Sequence, residues 1–494
     1  MGTTLGNWLA DTWHLVVGYD PARPMLFNSG LFLALFTVFI AGYAFLYRHR
    51  TSRTAYVLAF SLFFYYKSSG AWLLILLASI VLDYAVALAI HRSRDPRVRK
   101  VLLVASVTAN VGLLCYFKYT NFFLQNLFWV AGRPFDPLDI FLPIGISFYT
   151  FQTISYVVDV YKGEIEPADS LLDYAFYMSF FPHLVAGPIV RARHFLPQIG
   201  RTIKLSTEEA SYGMFQVLRG LVKKAIVADY VSQYVDLVFG QPEAYAGFEH
   251  LVAIYAYALQ IYCDFSGYSD MAIGLARIMG FDLGENFRSP YVSGNLTEFW
   301  RRWHISLSSW LRDYVYIPLG GNRHGERKQY LYLFLTMLIG GFWHGASWKF
   351  VFWGAMHGAG LVVHKLFVKY TRGRGAGNPV TGLVGWLVTF HFVALLWVFF
   401  RAESFGAAWQ IIGKAVLETE WRYLRPFLET RGLLCGVMAL GFAVHFVPEE
   451  VKQNLAWAYY TFSATTKAVI LILIIQVILQ VQTEDVQPFI YFQF

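Results

Sequence analysis

The feature that most constrains this chain is the length of its apolar runs. Stretches near residues 29–47, 71–90, 101–117, 139–161, 171–190, 248–280, 331–365, 380–400, 432–447 and 465–482 approach the ~20 apolar residues with which a helix crosses a bilayer. Shorter runs at 54–66 and 210–238 complete the set. They are apolar all round rather than along one stripe, so their helices face lipid or one another. Charged residues make up 15% of the chain, against roughly a quarter in soluble domains. The fold class expected is all-α: a polytopic membrane protein with about eleven transmembrane helices plus re-entrant or interfacial ones.

The formal net charge of +8 is gathered in short basic stretches rather than along one face, which argues against nucleic acid as a partner. "RHRTSR" (48–53), "HRSRDPRVRK" (91–100), "VRARHFLPQIGRTIK" (190–204) and "RGLVKK" (219–224) read as loops between spans. Their positive charge places them in the cytoplasm. Residues 1–24, without the basic and apolar regions of a signal peptide, then form an extracytoplasmic extension, and 25–494 form a single membrane domain without internal repeat or linker. Cys115, Cys263 and Cys435 have no CxxC or Cys/His spacing and read as free thiols.

Pro143, Gly145, Pro182, Gly187, Pro188 and Gly267 interrupt apolar segments. Broken backbone at membrane depth must be satisfied by protein or by a wet cavity, and a cavity in the middle third is the expectation. Asp159, His183, Asp264 and Asp270 lie in stretches too apolar for solvent loops. A mid-bilayer charge costs about 2.5–3.5 kcal/mol, so these groups face inward and pair, either fixing helix packing or lining a site.

Two histidines stand apart. "EFWRRWHISLSSWLRDYVYIPLGGNR" (298–323) interleaves Glu298, Arg301, Arg302, Arg312 and Asp313 with tryptophans around His304, as suits a helix lying at the interface or entering a hydrophilic funnel. At helical spacing His304 shares a face with Trp300, Arg301 and Ser308. The turn that follows, with Asn322 in "GGNRHGERK", is basic and lacks phosphate-loop spacing. In "GGFWHGASW" (340–348), Gly340, Gly341 and Gly345 strip side chains from the backbone around His344. Such glycines serve close helix packing or make room for a ligand. An imidazole there is a competent general base, since its ordinary pKa of about 6.5 lies near working pH. His357 would point away from it on one continuous helix, and neither an HExxH motif nor a carboxylate partner supports a metal site.

These two blocks, with "YCDFSGYSDMAIG" (262–274), "FFPHLVAGPI" (180–189), "FKYTNFF" (117–123) and "FLPIGISFYTFQTISYVVDVY" (141–161), resemble the membrane-bound O-acyltransferase family over residues 25 to 400 or so. The likeness is greatest to its bacterial branch that acetylates exopolysaccharides such as alginate. The resemblance implies helices around a central tunnel between a cytosolic donor and an acceptor on the opposite face. It carries the catalytic histidine to His344 and the second family histidine to His304. Trp303, Trp343, Asp264, Asp270, Arg301, Arg302 and Asn322 are the candidate substrate-binding residues. Acetyl-CoA is implied as donor, with no bound cofactor. An extracytoplasmic SGNH-type partner, a polysaccharide acceptor and a multi-pass location in the inner membrane are implied too.

Without a Gly-x-Ser-x-Gly elbow, direct transfer is favoured over a serine acyl-enzyme. His344 then takes the hydroxyl proton, while His304, Trp303 or backbone N–H groups hold the oxyanion. A D-alanyl transferase acting on teichoic acid is the alternative within the family. A transporter fits the broken helices, but its usual matching halves are not visible.

Overall fold

The computed structural model describes residues 13, 15–21, 24–185, 187–371 and 378–481. Most of the extension expected at 1–24, and the tail beyond 481, lie outside them. Every regular element among the described residues is helical. Among the described residues, five helical stretches are long and apolar enough to cross a membrane: Arg50–Arg92, Pro96–Val130, Trp348–Thr371, Pro379–Arg401 and Trp421–Phe446. Glu449–Thr461 and Ala464–Gln480 qualify only together, as a pair bent by 118°. Other helices are shorter or carry polar side chains that they bury, as Ile146–Lys162 does with Gln152, Thr153, Ser155 and Asp159.

Packing divides the chain into two compact units, Met1–Val217 with Met271–Gly284, and Leu218–Asp270 with Glu285–Phe494. In the first, the rings of Phe27, Phe32, Phe36, Phe39, Phe60 and Phe64 converge on Phe181, at centroid distances of 5.1 to 6.4 Å. Phe181 opens the Phe-Pro-His-Leu turn, one of the backbone breaks that either protein or a wet cavity must satisfy. At this break protein does so. The Phe181 N–H donates to Ser61 Oγ at 3.1 Å, Tyr65 Oη to the Ile144 carbonyl at 2.9 Å, and His183 Nε2 to the Tyr177 carbonyl at 2.8 Å. Gly145, at φ 80°, would place a β-carbon 2.5 Å from the Leu184 carbonyl oxygen, so a larger residue there fails on both backbone and space.

The basic stretches of this unit divide by role. Asp95 caps the helix Pro96–Leu114 by accepting from the Arg97 N–H at 2.7 Å, with proline at the first helical position. Arg53 is buried, and donates to the carbonyls of Ile199 at 2.6 Å and Tyr47 at 3.2 Å. One predicted cytoplasmic cation is thus a structural clamp.

The second unit brings a larger correction. "RGLVKK" is not a loop. Arg219 lies in the last turn of the helix Thr207–Leu221, and Lys223 and Lys224 fall in a π-helical segment, Val222–Ala228. Arg219 and Lys223 share Asp270, at 2.5 Å and 2.7 Å, while Lys224 lies between Asp264 at 2.5 Å and Asp229 at 2.8 Å. The cations that looked like topology signals are the partners that the apolar helix Gly247–Ile278 needs for its carboxylates. Gly267 lets the two segments touch: a β-carbon there would meet the Gly220 oxygen at 2.9 Å and the Lys224 nitrogen at 3.0 Å.

Farther along, Glu326–His344 and Trp348–Thr371 form a tight helical hairpin. The two helices pack closely at Gly341 and Gly354, where a β-carbon on Gly341 would lie 2.7 Å from the Gly354 α-carbon.

Candidate active site

All nine residues singled out from the sequence lie in the second unit. The segment bearing His304 begins with a well-capped short helix, Leu296–Arg302. Asn295 Oδ1 accepts from the Glu298 N–H at 2.9 Å, and Glu298 in turn accepts from the Gly294 N–H at 3.0 Å and from Arg302 Nε at 2.9 Å. The helix stops there. Trp303 is extended and His304 takes the left-handed conformation, φ 43° and ψ 56°, before a new helix, Ile305–Leu311. The shared helical face expected for Trp300, Arg301, His304 and Ser308 is therefore broken at the histidine itself. A non-glycine residue held left-handed costs about 1–2 kcal/mol, and the strain is sustained by hydrogen bonds to one neighbour.

That neighbour is Asn286. Its carbonyl accepts from the Ile305 N–H at 2.9 Å, and its Oδ1 accepts from the Ser306 N–H at 3.2 Å and Ser306 Oγ at 2.9 Å. Because a backbone N–H fixes which end of the amide is oxygen, the His304 Nδ1 that lies 3.1 Å from the same Oδ1 must be the protonated nitrogen. Asn286 Nδ2 donates onward to Ser269 Oγ at 3.0 Å. The neutral ring therefore carries its lone pair on Nε2. It can accept a hydrogen bond or a proton there, but it can donate to an oxyanion only after taking up a second proton. Phe265 closes one side, edge-on at 4.6 Å.

His344 is the last residue of its helix, and Gly345 after it is extended. The imidazole is 3% exposed, boxed by Trp343 at 5.1 Å, Trp353 at 5.1 Å and Phe400 at 5.4 Å. The nearby glycines serve packing. A β-carbon on Gly340 would meet Leu311 at 2.9 Å, one on Gly341 would meet Phe350 O and Gly354, and one on Gly345 would strike the Phe350 ring. An aromatic chain links the histidines: Trp353 to Trp397 at 5.5 Å, and Trp397 to Trp303, next to His304, at 4.9 Å.

The other candidates scatter. Trp303 and Trp343 are buried in this aromatic cluster. Asp264 and Asp270 hold the ion pairs described above. Arg302 is spent on Glu298 and, at 3.2 Å, on the Arg288 carbonyl, while Arg301 is exposed. Asn322 lies in an exposed turn, where its Oδ1 accepts from Tyr316 Oη and, at 2.7 Å, from Gln329 Nε2. In the preceding π-helical segment Arg312–Tyr316, the hydrogen bond of Arg312 to Asp313 pushes that guanidinium pKa up. Sequence reasoning missed Asn286, which no spacing marks. It also missed the turn at 345–347, which folds the chain back so that His344 meets Trp353 at 5.1 Å, a ring that His357, four residues farther along the same helix, meets at 4.5 Å. An open groove of about 380 Å³, lined in part by Arg201, Lys204, Glu209 and Arg277, belongs to the first unit. Its Arg277 is paired with Glu209 at 2.5 Å.

Residues 165–400 match the membrane-bound O-acyltransferase family. The chain is 37% identical to a probable alginate O-acetylase of Pseudomonas putida, over 95% of this chain and 100% of the relative. It is 39% identical to a peptidoglycan O-acetyltransferase of Helicobacter pylori, over 78% of this chain and 79% of the relative. A teichoic acid D-alanyltransferase of Bacillus subtilis is 26% identical over 57% of this chain and 75% of its own.

Proposed function

The chain belongs to the membrane-bound O-acyltransferase family, and we propose that within it the protein passes acetyl groups from cytosolic acetyl-CoA, through the inner membrane, for O-acetylation of an exopolysaccharide. What supports this acceptor class is the match along the whole length of the alginate O-acetylase relative. The observation that carries the chemistry is the pair of buried imidazoles on one aromatic wall, one of them held in a single tautomer.

His344 takes the proton of the acceptor hydroxyl as its oxygen attacks the thioester carbonyl carbon. The tetrahedral oxyanion collapses, the C–S bond breaks, and the departing thiolate recovers the proton from the His344 imidazolium. The products are an acetyl ester and free coenzyme A. The attacking hydroxyl's single proton goes to His344, so His304, with its lone pair on Nε2, orients the acceptor by accepting a hydrogen bond from a neighbouring, non-reacting donor group on it, a role proposed in place of the oxyanion contact expected from the sequence. Backbone and indole N–H groups supply the oxyanion donors. The hydroxyl belongs either to the polymer or to an extracytoplasmic SGNH-type partner that completes the transfer.

The test is ester-linked acetate, released by mild base from the polymer of cells carrying the wild-type or the His344→Ala chain. The wild type acetylates. The variant accumulates in the membrane to the same level and gives no more than a few per cent of the acetate. Undiminished acetate with His344→Ala defeats the assignment of the base. Transfer in membrane vesicles from a D-alanyl carrier thioester, but not from acetyl-CoA, defeats the donor.

A further inference from the structure

Trp353 touches two imidazoles, and the mechanism above uses only His344. The other, His357, is fully buried. Trp353 lies 4.5 Å from it, Trp300 meets it edge-on at 5.1 Å, Phe392 edge-on at 5.7 Å, and Phe299 stacks at 6.3 Å. Neither His357 nitrogen has a hydrogen-bond partner among the described residues, and the indole N–H groups of Trp300 and Trp353 are likewise buried without an acceptor. A buried polar group left unsatisfied costs about 1–3 kcal/mol. Four such atoms on three neighbouring rings, beside the proposed base, mark a niche that the protein alone does not satisfy.

The chemistry of the niche narrows its occupant. An indole nitrogen only donates, and a neutral imidazole donates once and accepts once, so three donors stand against one acceptor. A sugar hydroxyl, which must itself donate, is poorly served by that set. A thioester carbonyl, which only accepts and carries a small apolar acyl group against aromatic walls, is well served. Resting on the acyl-transfer reading, we propose that His357, with the indole N–H groups of Trp300 and Trp353, forms the subsite that grips the acyl carbonyl of the thioester donor beside His344.

The test separates the carbonyl from the rest of the donor, using the full chain in detergent and two unreactive ligands. One is the acetyl-CoA analogue with a methylene in place of sulfur, which keeps the carbonyl. The other is S-ethyl coenzyme A, which lacks it. Wild type binds the ketone at least tenfold more tightly than the thioether. His357→Phe, which keeps the ring and removes both nitrogens, brings that ratio to twofold or less. Its thermal unfolding temperature equals or exceeds that of wild type, because an unsatisfied imidazole has become hydrocarbon. Trp300→Phe lowers the ratio as a second, independent variant, and His357→Gln recovers part of it.

A ratio in His357→Phe and Trp300→Phe within twofold of wild type overturns the subsite and shows an imidazole satisfied by water alone. A lowered unfolding temperature with an unchanged ratio makes His357 structural, and overturns it too. If wild type binds neither ligand, coenzyme A is not the donor and the functional reading falls first. If wild type binds both equally, that reading stands and only the subsite falls.

Discussion

Asn286 shows how much of a site rests on one amide. Its Oδ1 takes hydrogen bonds from His304 Nδ1, Ser306 N and Ser306 Oγ, so Asn286→Ala orphans three donors and releases the ring. The acyl-transfer rate of that variant falls by tenfold or more, the equivalent of ~1.4 kcal/mol, the scale of one hydrogen bond. A rate within twofold of wild type would remove Asn286 from the mechanism. Asn286→Asp keeps the acceptor oxygen and adds a charge that favours the imidazolium, raising the pKa of His304. Activity that needs the neutral ring then appears only at higher pH, so the acidic limb of the pH–rate profile moves upward. Both histidines stand out in the sequence as ionisable residues in apolar settings, and both are buried. Their partners were not legible. Asn286 comes from a loop whose composition resembles any other polar turn, and the left-handed backbone of His304 follows from contacts that no periodicity reveals.

Among the elements, legibility followed the kind of physics involved. Hydropathy marks a helix wherever lipid or apolar neighbours surround it, and the span at Pro379–Arg401 matches the run read at 380–400, whereas the run read at 331–365 is broken at 345–347 into two helices, Glu326–His344 and Trp348–Thr371. It fails where a segment is buried through paired charges, which is why "RGLVKK" passed for a loop. The unequal stoichiometry of those pairs is testable. Lys224 has two carboxylates, so Asp264→Asn leaves it Asp229, whereas Lys224→Met removes the cation from both Asp264 and Asp229. Removing one partner of a buried pair costs about 3–5 kcal/mol. Lys224→Met reaches that range and Asp264→Asn falls below it, as thermal unfolding of the purified variants measures. Equal losses would mean that Asp229 contributes nothing.

For the whole molecule, the class of protein was legible because bilayer physics allows so few solutions, and motif order across hundreds of residues settled the family. Packing into two units was not legible: the border cuts through the helices Thr207–Leu221 and Gly247–Ile278, where composition does not change. The ion cluster of the second unit also sets a timetable for biogenesis. Lys223 and Arg219 leave the ribosome 47 and 51 residues ahead of Asp270, the carboxylate they share. At ~5–20 residues per second, the two cations wait about 2–10 s for their counter-charge. During that interval the segment cannot settle among lipid chains at low cost, so it stays at the aqueous boundary or in the keeping of the insertion machinery. A nascent chain arrested at residue 260 should therefore remain extractable by alkaline carbonate at this segment and open to proteases there, and one arrested beyond residue 300 should be protected. Equal protection of both would show that the cations are accommodated without Asp270, and that assembly here does not wait on the sequence still to come.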